Sequence, residues 1–136
     1  MAISECLCGN IKVEISGPPV AAQAVCHCSD CRKISGSAFG FNWVVSQNAV
    51  KITGEPKTFK TTANSGNLVT SHFCGNCGVN LWRDGPATKG LMYLKAGTLS
   101  DHKDQNTPHP VAEIFVSRRL NWVSAVPNAG QKMEME

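Results

Sequence analysis

The stretch CHCSDCRKISGSAF, residues 26–39, places Cys26, Cys28 and Cys31 within six positions. A structural zinc site needs four protein ligands, whereas a catalytic zinc site has three and leaves a fourth position open. A disulfide between Cys26 and Cys28 is disfavoured, because a C-x-C bridge closes a small strained ring. The stretch therefore predicts a metal site, and its type depends on whether the rest of the chain supplies a fourth ligand.

The other four cysteines form two pairs, Cys6 with Cys8 and Cys74 with Cys77, and a glycine follows each pair. The C-x-x-C of the second pair has the spacing of a zinc knuckle, in which turn N–H groups donate to the sulfurs. Together the two pairs predict a closed four-cysteine structural site that joins the N-terminal strand to the middle of the chain. This partition uses every cysteine and predicts two zinc ions per chain. Two closed sites remain an alternative, with His27 or His72 as the eighth ligand.

Composition favours one globular domain spanning residues 1–136, with a tail that frays from about residue 131. The chain has 136 residues, of which 42% are hydrophobic and 17% charged. Its formal charge of +3 assumes neutral thiols. Seven thiolates on two zinc ions would bring that charge to zero, so the charge does not predict a nucleic-acid partner.

The predicted location is the cytoplasm. No apolar run is long enough to cross a bilayer, and MAISECLCGN lacks the features of a signal peptide. Seven cysteines in a reducing compartment indicate metal binding more than disulfides. We therefore expect neither a membrane nor a nucleic acid as partner, and the sequence does not predict an oligomeric state.

Short segments that alternate between apolar and polar residues predict a mainly β fold, a small zinc-containing β-sandwich or barrel. The predicted strands are 11–15, 39–45, 49–53, 57–61, 68–73, 79–83, 91–97 and 112–117. Ser29 and Asp30 are predicted to cap one helical turn, and 98–110 is predicted to be a long polar loop. The aromatic side chains expected in the core are Phe39, Phe41, Trp43, Phe73, Trp82 and Trp122.

The quoted stretch and the segments CLCGNI, FCGNCGVNLW and EIFVSRRLNW resemble the glutathione-dependent formaldehyde-activating enzyme family, which also includes centromere protein V. The resemblance covers about residues 4 to 130. It implies a largely β zinc fold of the MSS-like type. It also implies a structural zinc on Cys6, Cys8, Cys74 and Cys77, and a catalytic zinc on Cys26, Cys28 and Cys31.

The founding activity of that family joins glutathione and formaldehyde and is classed as a carbon–sulfur lyase. The resemblance thus implies a zinc-dependent enzyme acting on a small-molecule thiol such as glutathione. A thiol in the open zinc position would be held as thiolate and could add to a carbonyl beside it. The alternative is a zinc-stabilised module that binds glutathione or a protein without turnover.

Residues within and after the quoted stretch are the candidates for substrate contact. His27 is a candidate proton donor, although its position between two ligands favours a side chain that points away from the ion. Arg32 and Lys33 follow the last cysteine and are candidates for binding the carboxylates of glutathione. Ser35, Gly36 and Ser37 are predicted to form a small turn that accepts an anion.

Overall fold

Two β-sheets contain most of the regular structure in the computed structural model of the chain, which describes residues 1–63, 65–106 and 109–134, with the backbone alone at 21–23. The strands are β1 (Ala2–Glu5), β2 (Lys12–Ile15), β3 (Ala21–Cys26), β4 (Gly40–Ser46), β5 (Val50–Thr53), β6 (Lys57–Thr62), β7 (Leu68–Phe73), β8 (Asn80–Asp84), β9 (Leu91–Lys95), β10 (Ala112–Ile114) and β11 (Gly130–Gln131). The predicted mainly β fold is confirmed.

The smaller sheet has the antiparallel order β1-β2-β5, and the larger has the order β11-β10-β3-β4-β9-β8-β7-β6. Strand β10 pairs in parallel with both β3 and β11, while the other pairs are antiparallel. The larger sheet therefore brings β3, which ends at Cys26, next to β4 and within two strands of β9.

The hydrophobic core consists of side chains from both sheets. Val13 and Ile15 of β2 are fully buried, and they belong to one cluster with Trp43 of β4 and Leu94 of β9. Alternate residues of a strand point to opposite faces, so the period-two pattern of β4 and β9 turns one side of the larger sheet toward this core. The other face of those strands is available for the candidate site.

Two short α-helices accompany the strands. Helix α1 (Ser29–Ser35) begins one residue earlier than the predicted caps imply, because Cys28 is the N-cap and its Sγ accepts from the Cys31 N–H at 3.3 Å. Helix α2 (His102–Asn106) lies in the segment predicted as a long loop, of which residues 107 and 108 are outside the described residues. Short 3-10 turns occupy Gln47–Ala49, Pro86–Thr88, Ala96–Thr98 and Val116–Arg118.

The structure differs from the prediction in its strands, its tail and one aromatic residue. The strands β1, β3 and β11 were not predicted. The tail is paired through residue 134, since Phe115 N–H donates to the Glu134 carbonyl at 2.8 Å, and 135–136 lie outside the described residues. Trp122 is 75% exposed and is not a core residue.

No helix in the described parts of the chain has the length and apolar character needed to span a bilayer.

Candidate metal centres and the adjoining cavity

The structure brings Cys6, Cys8, Cys74 and Cys77 together, with all four sulfurs within 4.8 Å of one another. The Sγ atom of Cys8 lies 3.7 Å from that of Cys6 and 3.6 Å from that of Cys74. Four sulfurs bound tetrahedrally at the usual zinc–sulfur length would lie about 3.8 Å apart. The spacing therefore fits a tetrahedral zinc ion, and we call this group the four-cysteine site.

Backbone N–H groups of the two turns point at the sulfurs of this site. The Ile11 N–H donates to Cys6 Sγ at 3.3 Å, and the N–H groups of Asn76 and Cys77 donate to Cys74 Sγ at 3.4 and 3.5 Å. Hydrogen bonds from backbone N–H groups, that of Val79 first, lower the pKa of Cys77 to about 6. Such bonds favour the thiolate, which is the form that binds a metal.

Cys26, Cys28 and Cys31 form the second cluster, again with all sulfurs within 4.8 Å of one another. The three belong to one corner of the fold, because Cys26 ends β3, Cys28 caps α1 and Cys31 lies in the first turn of that helix. Hydrogen bonds from the other two thiols and from backbone N–H groups hold the pKa of Cys28 far below its ordinary value. Sharing a proton with Cys28 raises the pKa of Cys26. We call this group the three-cysteine site.

Neither histidine of the closed-site alternative joins a cysteine cluster in the described parts of the chain. His27 is fully buried, and its Nε2 lies 2.8 Å from Glu113 Oε1. The Nε2 of His72 lies 2.9 Å from Asp84 Oδ1, and its ring stacks on Trp82. The three-cysteine site therefore has no fourth protein ligand among the described residues.

Glu113 on β10 is the centre of a buried polar network that the sequence analysis missed. Its carboxylate is 1% exposed and accepts from His27 at one oxygen. The other oxygen accepts from Gln131 Nε2 at 2.7 Å, the Val126 N–H at 2.8 Å and Arg119 Nη2 at 3.3 Å. Burial opposes ionisation, but these hydrogen bonds and the Arg119 charge keep the pKa of Glu113 below its usual range. The network ties the C-terminal segment to the loop that carries Cys26 and Cys28.

A cavity of about 460 Å³ is lined in part by Gly40, which packs against Cys31, while none of the three cysteines lines it directly. Its walls are the end of α1, the start of β4, the turn after Cys77, and Lys95 with the residues after it. Gly40 connects the cavity to the cluster, because a Cβ added at Gly40 would lie 3.0 Å from Cys31 Cβ and 3.5 Å from its Sγ. Any side chain at position 40 would therefore press on a metal ligand.

The structure places only some of the predicted substrate contacts at the cavity. Ser35 and Ser37 line the cavity, whereas Arg32, Lys33 and Gly36 do not. The N–H groups of Gly36 and Ser37 both donate to the Arg32 carbonyl, so they are committed to ending the helix and not to accepting an anion. The guanidinium of Arg32 donates to the Arg118 carbonyl at 3.0 Å, which directs it toward the C-terminal segment.

Lys95 and Arg83 are two further cations, on the same sheet face as Cys26, that the sequence analysis missed. The ammonium of Lys95 donates to Asn42 Oδ1 at 3.0 Å, and burial lowers the pKa of Lys95. Arg83 is 9% exposed. Each cation lies inside a segment predicted as a strand, and a basic residue within an otherwise apolar strand is the signal that could have identified it.

The sequence of most of the chain matches one protein family. The family model for glutathione-dependent formaldehyde-activating enzyme matches residues 1–118. A protein of Penicillium rubens is 32% identical over 108 residues, and one of Pyrenophora teres f. teres is 33% identical over 117 residues. Both carry the name "Putative glutathione-dependent formaldehyde-activating enzyme".

The matched regions cover 76% and 82% of this chain, but only 55% and 59% of those two relatives. The chain thus spans a little over half the length of the curated relatives that it matches. Among solved structures, the crystal structure of a Rhodobacter sphaeroides protein is similar, with a TM-score of 0.59 at 15% identity. That likeness covers 76% of this chain and 94% of the other, and it concerns the fold alone.

Proposed function

The chain belongs to the glutathione-dependent formaldehyde-activating enzyme family, and we propose that it is a zinc-dependent carbon–sulfur lyase that joins a thiol to an aldehyde. Glutathione and formaldehyde are the proposed reactants. The observation that carries the proposal is the three-cysteine site beside a cavity, with no fourth protein ligand among the described residues. The four-cysteine site is assigned to a structural zinc and the three-cysteine site to a catalytic one.

The proposed reaction forms one bond between the thiol sulfur and the carbonyl carbon. The thiol proton ends on the former carbonyl oxygen, so atoms balance and no oxidant or reductant is needed. Cys26, Cys28 and Cys31 would hold the zinc ion, which would supply a centre at which an incoming thiol is held as thiolate. Phe39 and Phe41 supply apolar surface to the wall of the cavity.

His27 is assigned a positioning role in place of proton donation. Its Nε2 is bound to Glu113, and its backbone N–H donates to the Ile114 carbonyl at 3.1 Å. Both contacts hold the loop between Cys26 and Cys28 against β10. The residue therefore fixes the spacing of two ligands without touching the substrate.

The proposed setting is the cytoplasm, where a reducing environment keeps thiols available for metal binding. The proposed partner is a small-molecule thiol, with no role for nucleic acid or membrane.

Exchange spectroscopy by NMR on glutathione and formaldehyde tests the proposal. We expect the zinc-loaded protein to accelerate exchange between free formaldehyde and the S-hydroxymethyl adduct. Cys28→Ser should return exchange to the uncatalysed rate, because it removes one ligand of the three-cysteine site. Ser29→Ala is the matched control, since Ser29 is the exposed neighbour of Cys28 and should leave the acceleration intact.

Two outcomes would contradict the proposal. Glutathione binding without faster exchange, in protein that carries both zinc ions, would favour the non-catalytic binding module. Equal acceleration by wild type and Cys28→Ser would place the chemistry away from the three-cysteine site.

A further inference from the structure

We propose that Arg83 and Lys95 form an anion subsite beside the three-cysteine site, and that it binds the terminal glycine carboxylate of the thiol substrate. The inference rests on the proposed function and narrows it. It makes the substrate class a thiol that carries a carboxylate, recognised by two cations of the larger sheet.

The strand register places the two cations on the same sheet face as Cys26. Cys26 pairs with Gly40, and Asn42 pairs with Lys95. Arg83 pairs with Tyr93, which lies two residues before Lys95 and so shares its face. Neighbouring strands are about 4.8 Å apart and a strand rises about 3.4 Å per residue, so Lys95 lies about 10 Å across the sheet and about 7 Å along it from Cys26, about 12 Å in all. A lysine side chain and a short thiol can cover that separation between them.

Arg83 is a largely buried cation with one donor that is unpaired among the described residues. The side chain is 9% exposed, and its Nε is buried with no hydrogen-bond partner there. No ion pair in the described parts of the chain includes Arg83 or Lys95. Its sequence neighbour Asp84 lies on the opposite face of β8 and is bound to His72 and Trp82. A buried charge without a partner is costly, which is a reason to expect that a ligand supplies the missing anion.

Lys95 connects this pair to the cavity. It lines the cavity wall, and its ammonium is held by Asn42 Oδ1 at 3.0 Å. The cavity lining contains no carboxylate, so Lys95 is its single charged group among the described residues. The thiols of Cys31 and Cys26 act electrostatically on Lys95, which places Lys95 near the three-cysteine site, and Arg83 acts on Lys95 in turn.

Three thiolates around a zinc ion carry a net charge of −1, and the thiolate of a bound substrate would bring it to −2. The two cations offset that charge, so a carboxylate is expected from direct contact with them and not from an excess of positive charge. The glycine carboxylate of glutathione fits better than the glutamyl one, because the glutamyl carboxylate has an ammonium on the same carbon that the two cations would repel.

Calorimetric titration of the zinc-loaded protein with glutathione and with its glycinamide analogue tests the subsite. The analogue keeps the thiol and the shape of glutathione but replaces the glycine carboxylate by an uncharged amide. We expect wild type to bind glutathione about tenfold or more tightly than the amide, because a buried charge-assisted hydrogen bond is lost. Lys95→Met should bring this preference close to unity.

Arg83→Met is the second variant and should also reduce the preference. Lys89→Met is the matched control, since Lys89 is exposed in the turn before β9 and should retain the full preference. Zinc content and circular dichroism establish that each variant folds. If Arg83→Met fails to fold, Lys95→Met alone decides the question.

Different results would overturn the anion subsite and the proposed function. Equal binding of glutathione and its amide by wild type, or an unchanged preference in Lys95→Met, would overturn the subsite and leave thiol binding at zinc intact. Binding of neither thiol by fully loaded protein would overturn the proposed function itself.

Discussion

Replacing Cys74 by serine is expected to unfold the protein. Cys74 is buried, and its sulfur lies in the four-cysteine site that joins the segment before β2 to the turn between β7 and β8. This site therefore joins the smaller sheet to the larger one. Structural zinc sites contribute about 10–16 kcal/mol of apparent binding free energy, whereas a domain is stable by only about 5–15 kcal/mol. Loss of the ion should remove most or all of the stability.

Circular dichroism and metal analysis by mass spectrometry measure this effect. We expect Cys74→Ser to lose cooperative unfolding and most of its zinc. Cys28→Ser is the comparison variant, because Cys28 lies at the half-exposed start of α1 and outside the junction of the two sheets. It should stay folded with one zinc ion per chain. Equal loss of structure in both variants would contradict the division into structural and catalytic sites.

Replacing Glu113 by alanine is expected to lower the free energy of unfolding by about 3–5 kcal/mol. Four donors lose their acceptor: His27 Nε2, the Val126 N–H, Arg119 and Gln131. The fully buried His27 is then left without an acceptor, which costs its desolvation penalty, whereas the exposed Gln131 can bond to water. The same change frees His27, so the spacing of Cys26 and Cys28 should also loosen and zinc affinity at the three-cysteine site should fall.

Urea titration followed by circular dichroism measures the stability change, and competition with a chelator measures the zinc affinity. Glu113→Gln keeps the shape and one oxygen acceptor, so it should be less damaging than alanine. Glu14→Ala is the surface control, because Glu14 forms a half-exposed pair with Lys12 at 3.5 Å. It should cost less than about 1 kcal/mol. A Glu113→Ala protein as stable as that control would contradict the network's role.

The cysteine clusters and most of the strands could be predicted because both are local patterns. Seven cysteines have few chemically sensible partitions, and the structure brings together the two groups that the spacing predicts. Strand β9 shows the alternation clearly, because Met92 and Leu94 pack on the core while the residues that alternate with them lie on the other face. These local signals were sufficient for the mainly β fold.

The partners of Glu113 and Lys95 could not be predicted, because they depend on pairing between distant strands. The parallel pairing of β10 with β3 and β11 brings Glu113 to His27 and Gln131, and no local pattern indicates that pairing. Likewise, the pairing of β4 with β9 brings Lys95 to Asn42. The predicted basic contact, Arg32, was chosen by closeness in sequence, but the helix directs it to Arg118.

Counting sulfur ligands by X-ray absorption at the zinc edge tests the central claim most directly. The claim is that the three-cysteine site holds a zinc ion whose fourth position belongs to an external thiol. Protein with two zinc ions per chain should show seven sulfur ligands in total before glutathione is added, and eight afterwards. Cys28→Ser should show no gain of sulfur. A single zinc ion per chain, or two ions with eight sulfur or imidazole ligands before any thiol is added, would contradict the claim.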